Sequence, residues 1–136
     1  MSPHMQRALT WSVLTSSSLV MLGVFVQVYL IAVYIVGGDG DVLDAHKGIG
    51  SIVHILEVLA FLTGLGAYWK KWGEVGLVFA LAAVGTLQMG LISASGDWVR
   101  GLHGLLALVV LILAHAVVQH AVRALGLGRH GTTGTP

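Results

Sequence analysis

The sequence predicts an all-α membrane protein: a four-transmembrane-helix bundle made of two parallel helical-hairpin repeats, with both termini on the inner side. Composition is the first reason. Of 136 residues, 56% are hydrophobic and 10% charged, whereas a soluble domain carries charge nearer a quarter of its residues. The second is four apolar stretches, at roughly 11–36, 47–68, 75–95 and 102–122, each of ~20 residues or longer and so able to cross a bilayer core of ~30 Å as a helix. The third is internal repetition. Val26-Gln27-Val28-Tyr29-Leu30-Ile31-Ala32 parallels Leu87-Gln88-Met89-Gly90-Leu91-Ile92-Ser93. Each stretch then passes a Gly-Asp turn, Gly40-Asp41 or Gly96-Asp97, and reaches a histidine, His46 or His103.

The elements follow in order. Residues 1–10 form a short polar lead, expected to be cytoplasmic, ahead of a four-helix domain at 11–125. The first apolar stretch is too long for the core of a signal peptide and lacks a small-x-small cleavage site, so it is helix 1. Repeat 1 covers about 11–68 and repeat 2 about 75–122. The Gly/Thr-rich segment 126–136 has no core-forming residues and reads as a flexible tail. A membrane barrel is disfavoured, because the apolar runs are continuous rather than alternating and too few to close a sheet. Cysteine is absent, which removes disulfides, iron–sulfur clusters and thiolate metal sites. A net charge of +1 points to no nucleic-acid partner.

Basic residues set the orientation. Arg7, Lys70, Lys71, Arg123 and Arg129 fall in the lead, the middle loop and the tail. The other two loops hold only Lys47 and Arg100, beside Asp39, Asp41, Asp44 and Asp97. The positive-inside rule then predicts a multi-pass cell-membrane protein with both termini cytoplasmic. Trp11, Trp69 and Trp72 fall at the expected inner interface and Trp98 at the outer one, as an aromatic belt requires.

Seven histidines are many for this length. His4 and His130 lie in polar ends, and His120 sits near an inner helix end. His46 and His103 open helices 2 and 4, which run the same way, so they are expected at one depth near the outer face. Taken singly, such histidines cap helix starts. As a matched pair on diagonally opposed helices they fit the two axial ligands of one haem b. Gly50 and Ala107, one turn further on, leave room beside each ring for a flat macrocycle. Lys47 and Arg100 could pair with its propionates. Copper or zinc fits less well, since no third or fourth ligand is expected at that level.

His54, Glu57 and His115 lie deeper, where ionisable groups are paired or functional. Glu57 and His115 fall ~17 and ~18 Å below the first pair and His54 ~12 Å below it. Glu57 is therefore expected to meet His115, as a hydrogen bond or a proton relay. A second haem on His54 and His115 is disfavoured, because their faces are rotated by ~80° and ~120° from those of His46 and His103. Gln27 and Gln88 are expected to hydrogen-bond between helices, with contact to the cofactor or a quinone as the functional alternative.

The stretch Leu87-Gln88-Met89-Gly90, then Gly96-Asp97-Trp98 and Gly101-Leu102-His103, resembles half of a haem A synthase. In that family each half is a four-helix bundle with one haem-ligating His on its second helix and another on its fourth. His46-Lys47 is similar to the family's His-Arg, and Leu102-His103 to its Leu-His. The resemblance spans roughly residues 20–120 and also extends to small actinobacterial four-helix membrane proteins of unknown function. It implies the fold and haem ligation. The family's catalytic Glu before the first His is absent, the preceding acid being Asp44, and full-length members have eight helices, so a half-size chain would need to dimerise.

The expected function is that of a membrane cytochrome b-like protein with one haem b near the outer face, for electron transfer or support of a respiratory complex, as a carrier or accessory subunit in preference to an enzyme. Its expected surroundings are the lipid bilayer and a respiratory-chain or other membrane redox partner, with a quinone or a second copy of the chain as further candidates. Three competing classes are a haem-modifying oxidoreductase, which would need Asp44, a cofactor-free scaffold subunit, and a small proton-coupled transporter using Glu57 and His115.

Overall fold

The computed structural model describes residues 1–92 and 96–127, apart from the side chains of Ile92, Asp97 and Arg100. It contains four helices, α1 (Pro3–Ile35), α2 (Gly40–Ala67), α3 (Trp72–Ile92) and α4 (Asp97–Leu125). All four are long and apolar enough to cross a membrane, which makes this a multi-pass membrane protein. The expected tail lies outside the described residues beyond Leu127.

Local chemistry explains where helices begin and where α4 ends, all outside the apolar stretches. Ser2 accepts a hydrogen bond from Met5 N (3.3 Å) and Pro3 occupies the first turn, both favourable at a helix start. The polar lead is thus already helical. Asp39 accepts from Val42 N (3.4 Å) and Asp41 sits in the first turn of α2, so that helix starts at Gly40 rather than near 47. Gly126, with φ 75°, closes α4 in the left-handed conformation that glycine adopts without strain.

These earlier starts keep the two histidines in register. His46 lies six residues after Gly40 and His103 six residues after Asp97. The hairpins differ by four residues between Gln and His, 19 against 15. That difference is one helical turn, and α1 supplies it by continuing eight residues past Gln27, where α3 continues four past Gln88.

Each helix packs against two neighbours in the ring α1–α2–α3–α4, with α4 closing on α1, so α2 and α4 stand on one diagonal. Buried positions recur at alternating steps of three and four: Thr10, Val13, Ser17, Val20 and Val24 in α1, Val53, Glu57, Ala60, Gly64 and Ala67 in α2, Val110, Ala114, Val117 and Ala121 in α4. That is the spacing of helices wrapped in a left-handed sense. The interior is built of small side chains, while Leu22, Phe25, Ile55, Leu62, Phe79, Leu105 and Ile112 face outward. Such a distribution suits a lipid exterior, where close backbone approach rather than exclusion of water holds helices together. Hydroxyls bond back within their own helix, as Ser16 donates to Ser12 O (2.7 Å) and Thr86 to Ala82 O (2.8 Å).

Glycines set the closest approaches. A methyl group on Gly23 would strike Val53, and one on Gly64 would lie 2.8 Å from Val78 Cγ2. Gly64→Ala is expected to destabilise the bundle by about 1–3 kcal/mol through overpacking. Val78→Ala in the same chain should recover most of that loss, measured as unfolding in detergent micelles.

Candidate functional site

The α2–α4 diagonal brings His46 and His103 together, with ring centres 6.4 Å apart and ring planes at 69°. Each ring is held by the helix preceding it in the chain. His46 Nδ1 donates to the backbone carbonyl of Gln27 on α1 (3.2 Å), and His103 Nδ1 donates to that of Gln88 on α3 (3.3 Å). A carbonyl can only accept, so the bond to Gln88 puts the His103 proton on Nδ1 and leaves the lone pair on Nε2, whereas at His46 the side-chain amide of Gln27 also reaches both ring nitrogens. A backbone carbonyl behind a histidine is the common support of a metal-ligating imidazole.

The pair borders a cavity of about 460 Å³, within the ~300–1,000 Å³ range of small-molecule and cofactor sites. Its walls are largely apolar, from Val24, Ile31, Leu43, Leu91 and Val110, with Gln27 and Gln88 facing it from α1 and α3. Gly50 lies beside His46, and the space at its missing side chain is taken by the Gln27 amide, 2.7 Å from where a Cβ would stand. Turned so that its oxygen accepts from Gly50 N (2.7 Å), this amide places its nitrogen 2.7 Å from His46 Nδ1, 3.1 Å from His46 Nε2 and 3.2 Å from the His46 carbonyl oxygen. The room expected there for a macrocycle is thus held by Gln27. Ala107 is half-buried on α4 and is not part of the cavity wall.

Lys47 borders the cavity and pairs with Asp44 (2.9 Å), both side chains being exposed. Arg100 belongs to α4, and its side chain lies outside the described residues. Among the described residues no cluster of three or more His, Cys, Asp or Glu side chains is arranged to hold a bare metal ion.

The deeper groups are arranged differently from the expectation. Glu57, 2% exposed, pairs with His54 of its own helix, Nδ1 to Oε2 at 3.0 Å. His115, expected to meet Glu57, is exposed on the outside of α4 and does not line the cavity. Depth along the axis matched Glu57 to His115, but a spacing of three residues on one helix face brings His54 closer. For the same reason His54 and His115 do not come together as the two sides of a second site.

Gly85 on α3 faces Glu57 so closely that any side chain there would overlap its carboxyl group. Sequence reasoning gave this glycine no role. The signal that could have found it is a buried acid in an apolar helix, which needs a gap opposite. No family model, curated protein or solved structure matches the chain.

Gly85→Ala should therefore cost about 1–3 kcal/mol of stability by overpacking. In a Glu57→Ala background the same change should cost markedly less, because the group it strikes is gone. A double-mutant cycle on micelle unfolding measures this coupling directly.

Proposed function

We propose that this protein is a membrane cytochrome b-like electron carrier that binds one haem b between His46 and His103. The observation that carries the proposal is the matched pair of imidazoles, each placed against a backbone carbonyl through Nδ1 and both bordering a mostly apolar cavity. The two ring centres stand 6.4 Å apart, and both imidazoles would be available to hold one group between them. Two protein ligands are too few for a bare zinc or copper ion but are the full axial set of a haem.

Haem supplies reversible one-electron transfer at its iron when bound. His46 and His103 would hold it once the Gln27 side chain leaves the space beside Gly50, with the carbonyls of Gln27 and Gln88 orienting the rings. Bis-imidazole ligation leaves no open position for oxygen chemistry, which favours electron transfer over modification of the macrocycle. The acid a haem-modifying reaction would use, Asp44, is exposed and engaged by Lys47. The likeness to half of a haem A synthase rests on the residues that carry it and supports the same ligand pair.

The equal bonds in the two hairpins support their descent from one repeated unit. Arg7, Lys70, Lys71 and Arg123 share the end where α1 begins and α4 ends. By the positive-inside rule we infer that this end faces the cytoplasm and that the histidine pair lies toward the opposite face.

Purified protein, produced with ample haem, is expected to show a Soret band and sharp α and β bands on reduction. His46→Ala and His103→Ala should each abolish the six-coordinate spectrum, and His115→Ala should leave it unchanged. A colourless wild-type protein would overturn the proposal.

A further inference from the structure

The opposite end of the bundle holds a second cavity, of about 280 Å³, where α1 begins and α2 and α4 end. At ~30 Å³ per water that is room for about nine waters. Arg7 of α1 and Lys71 of the α2–α3 turn line it, together with Gln6, Thr10 and Tyr68. Two of these polar groups are already engaged: Gln6 Nε2 donates to Ala67 O (3.0 Å) and Thr10 Oγ1 to Gln6 O (2.9 Å).

Tyr68 is different. It is 2% exposed, and its buried hydroxyl has no hydrogen-bond partner. A buried donor without an acceptor opposes folding unless something fills the gap. Burial, reinforced by the charge of Glu74, pushes this phenol up to about 12, so it remains protonated and a donor. Its neighbour is held in place by the turn itself, where Lys71 N donates to Tyr68 O (2.8 Å). Lys70 between them has φ 69°, a left-handed conformation uncommon for a residue other than glycine.

We propose that this cavity binds a phosphate group, carried by a phospholipid headgroup or free in solution, between Arg7, Lys71 and the Tyr68 hydroxyl. Phosphate suits the donor set because its several oxygens accept from a guanidinium fork, an ammonium and a phenol at once. Two cations outnumber the single nearby carboxylate, Glu74. The site lies at an end of membrane-spanning helices, where phospholipid headgroups are abundant.

The test uses the full chain in a non-ionic detergent, with dihexanoyl phosphatidylglycerol, inorganic phosphate and phosphate-free dihexanoylglycerol as probes. Binding is read by native mass spectrometry and by the shift in thermal-unfolding midpoint. At least one of the two phosphate-bearing probes should bind and dihexanoylglycerol should not, and which of the two binds more tightly identifies the source. Arg7→Ala with Lys71→Ala should abolish binding. Tyr68→Phe should weaken it about tenfold, the ordinary effect of losing one hydrogen bond to a charged group. Without ligand, Tyr68→Phe should unfold at the same or a higher temperature than the wild type, because it removes an orphaned hydroxyl and keeps the ring. Tyr68→Phe binding phosphate as tightly as the wild type would overturn the proposal, leaving only surface charge attraction. Equal binding of dihexanoylglycerol would overturn it as well.

Discussion

A polar group inside a bilayer has to find its partner within the protein, and the arrangement of this bundle follows from that requirement. The carbonyls of Gln27 and Gln88 lie within helices, where each can accept a second hydrogen bond through its other lone pair. His46 and His103 use those lone pairs. The bond ties α2 to α1 and α4 to α3, so each hairpin is latched by a histidine. At His103 it also puts the ring proton on Nδ1. Latching and the chemistry offered to the cavity are thus one interaction.

The same requirement governs the deeper part of the interior. Glu57 is tolerated because His54 sits three residues before it and Gly85 withdraws to make room. Among the described residues, the buried side-chain polar atoms left without a partner are Ser17 Oγ and the Tyr68 hydroxyl. These two differ in setting. Ser17 lies in the middle of α1, and Tyr68 borders a cavity with cations beside it.

Much of this could be seen in the sequence. Hydropathy located the four helices, since length and apolarity alone decide whether a segment can span a bilayer. The ring order followed from short connections between neighbours, and with it the diagonal meeting of His46 and His103. Helix starts were less legible, because Asp39 and Ser2 begin helices outside the apolar stretches, where hydropathy has no signal. The partner of Glu57 was missed for a geometric reason: depth compares positions along an axis, while a hydrogen bond also requires the right face. His115 has the depth and points away. Gln27 and Gln88 stood out through their side chains, yet their shared contribution is a backbone atom, to which residue type is a poor guide.

The inward placement of small residues, with bulky ones outside, constrains how the chain is made. A fold with so little bulk inside has little to gain by collapsing in water, so insertion of the helices has to precede their association. The first hairpin can latch through His46 as soon as α2 is in place. The second latch and the facing of the two rings wait for α4, which begins 57 residues after Gly40. During synthesis the chain therefore passes through a stage in which one imidazole is already held and oriented, with nothing yet opposite it.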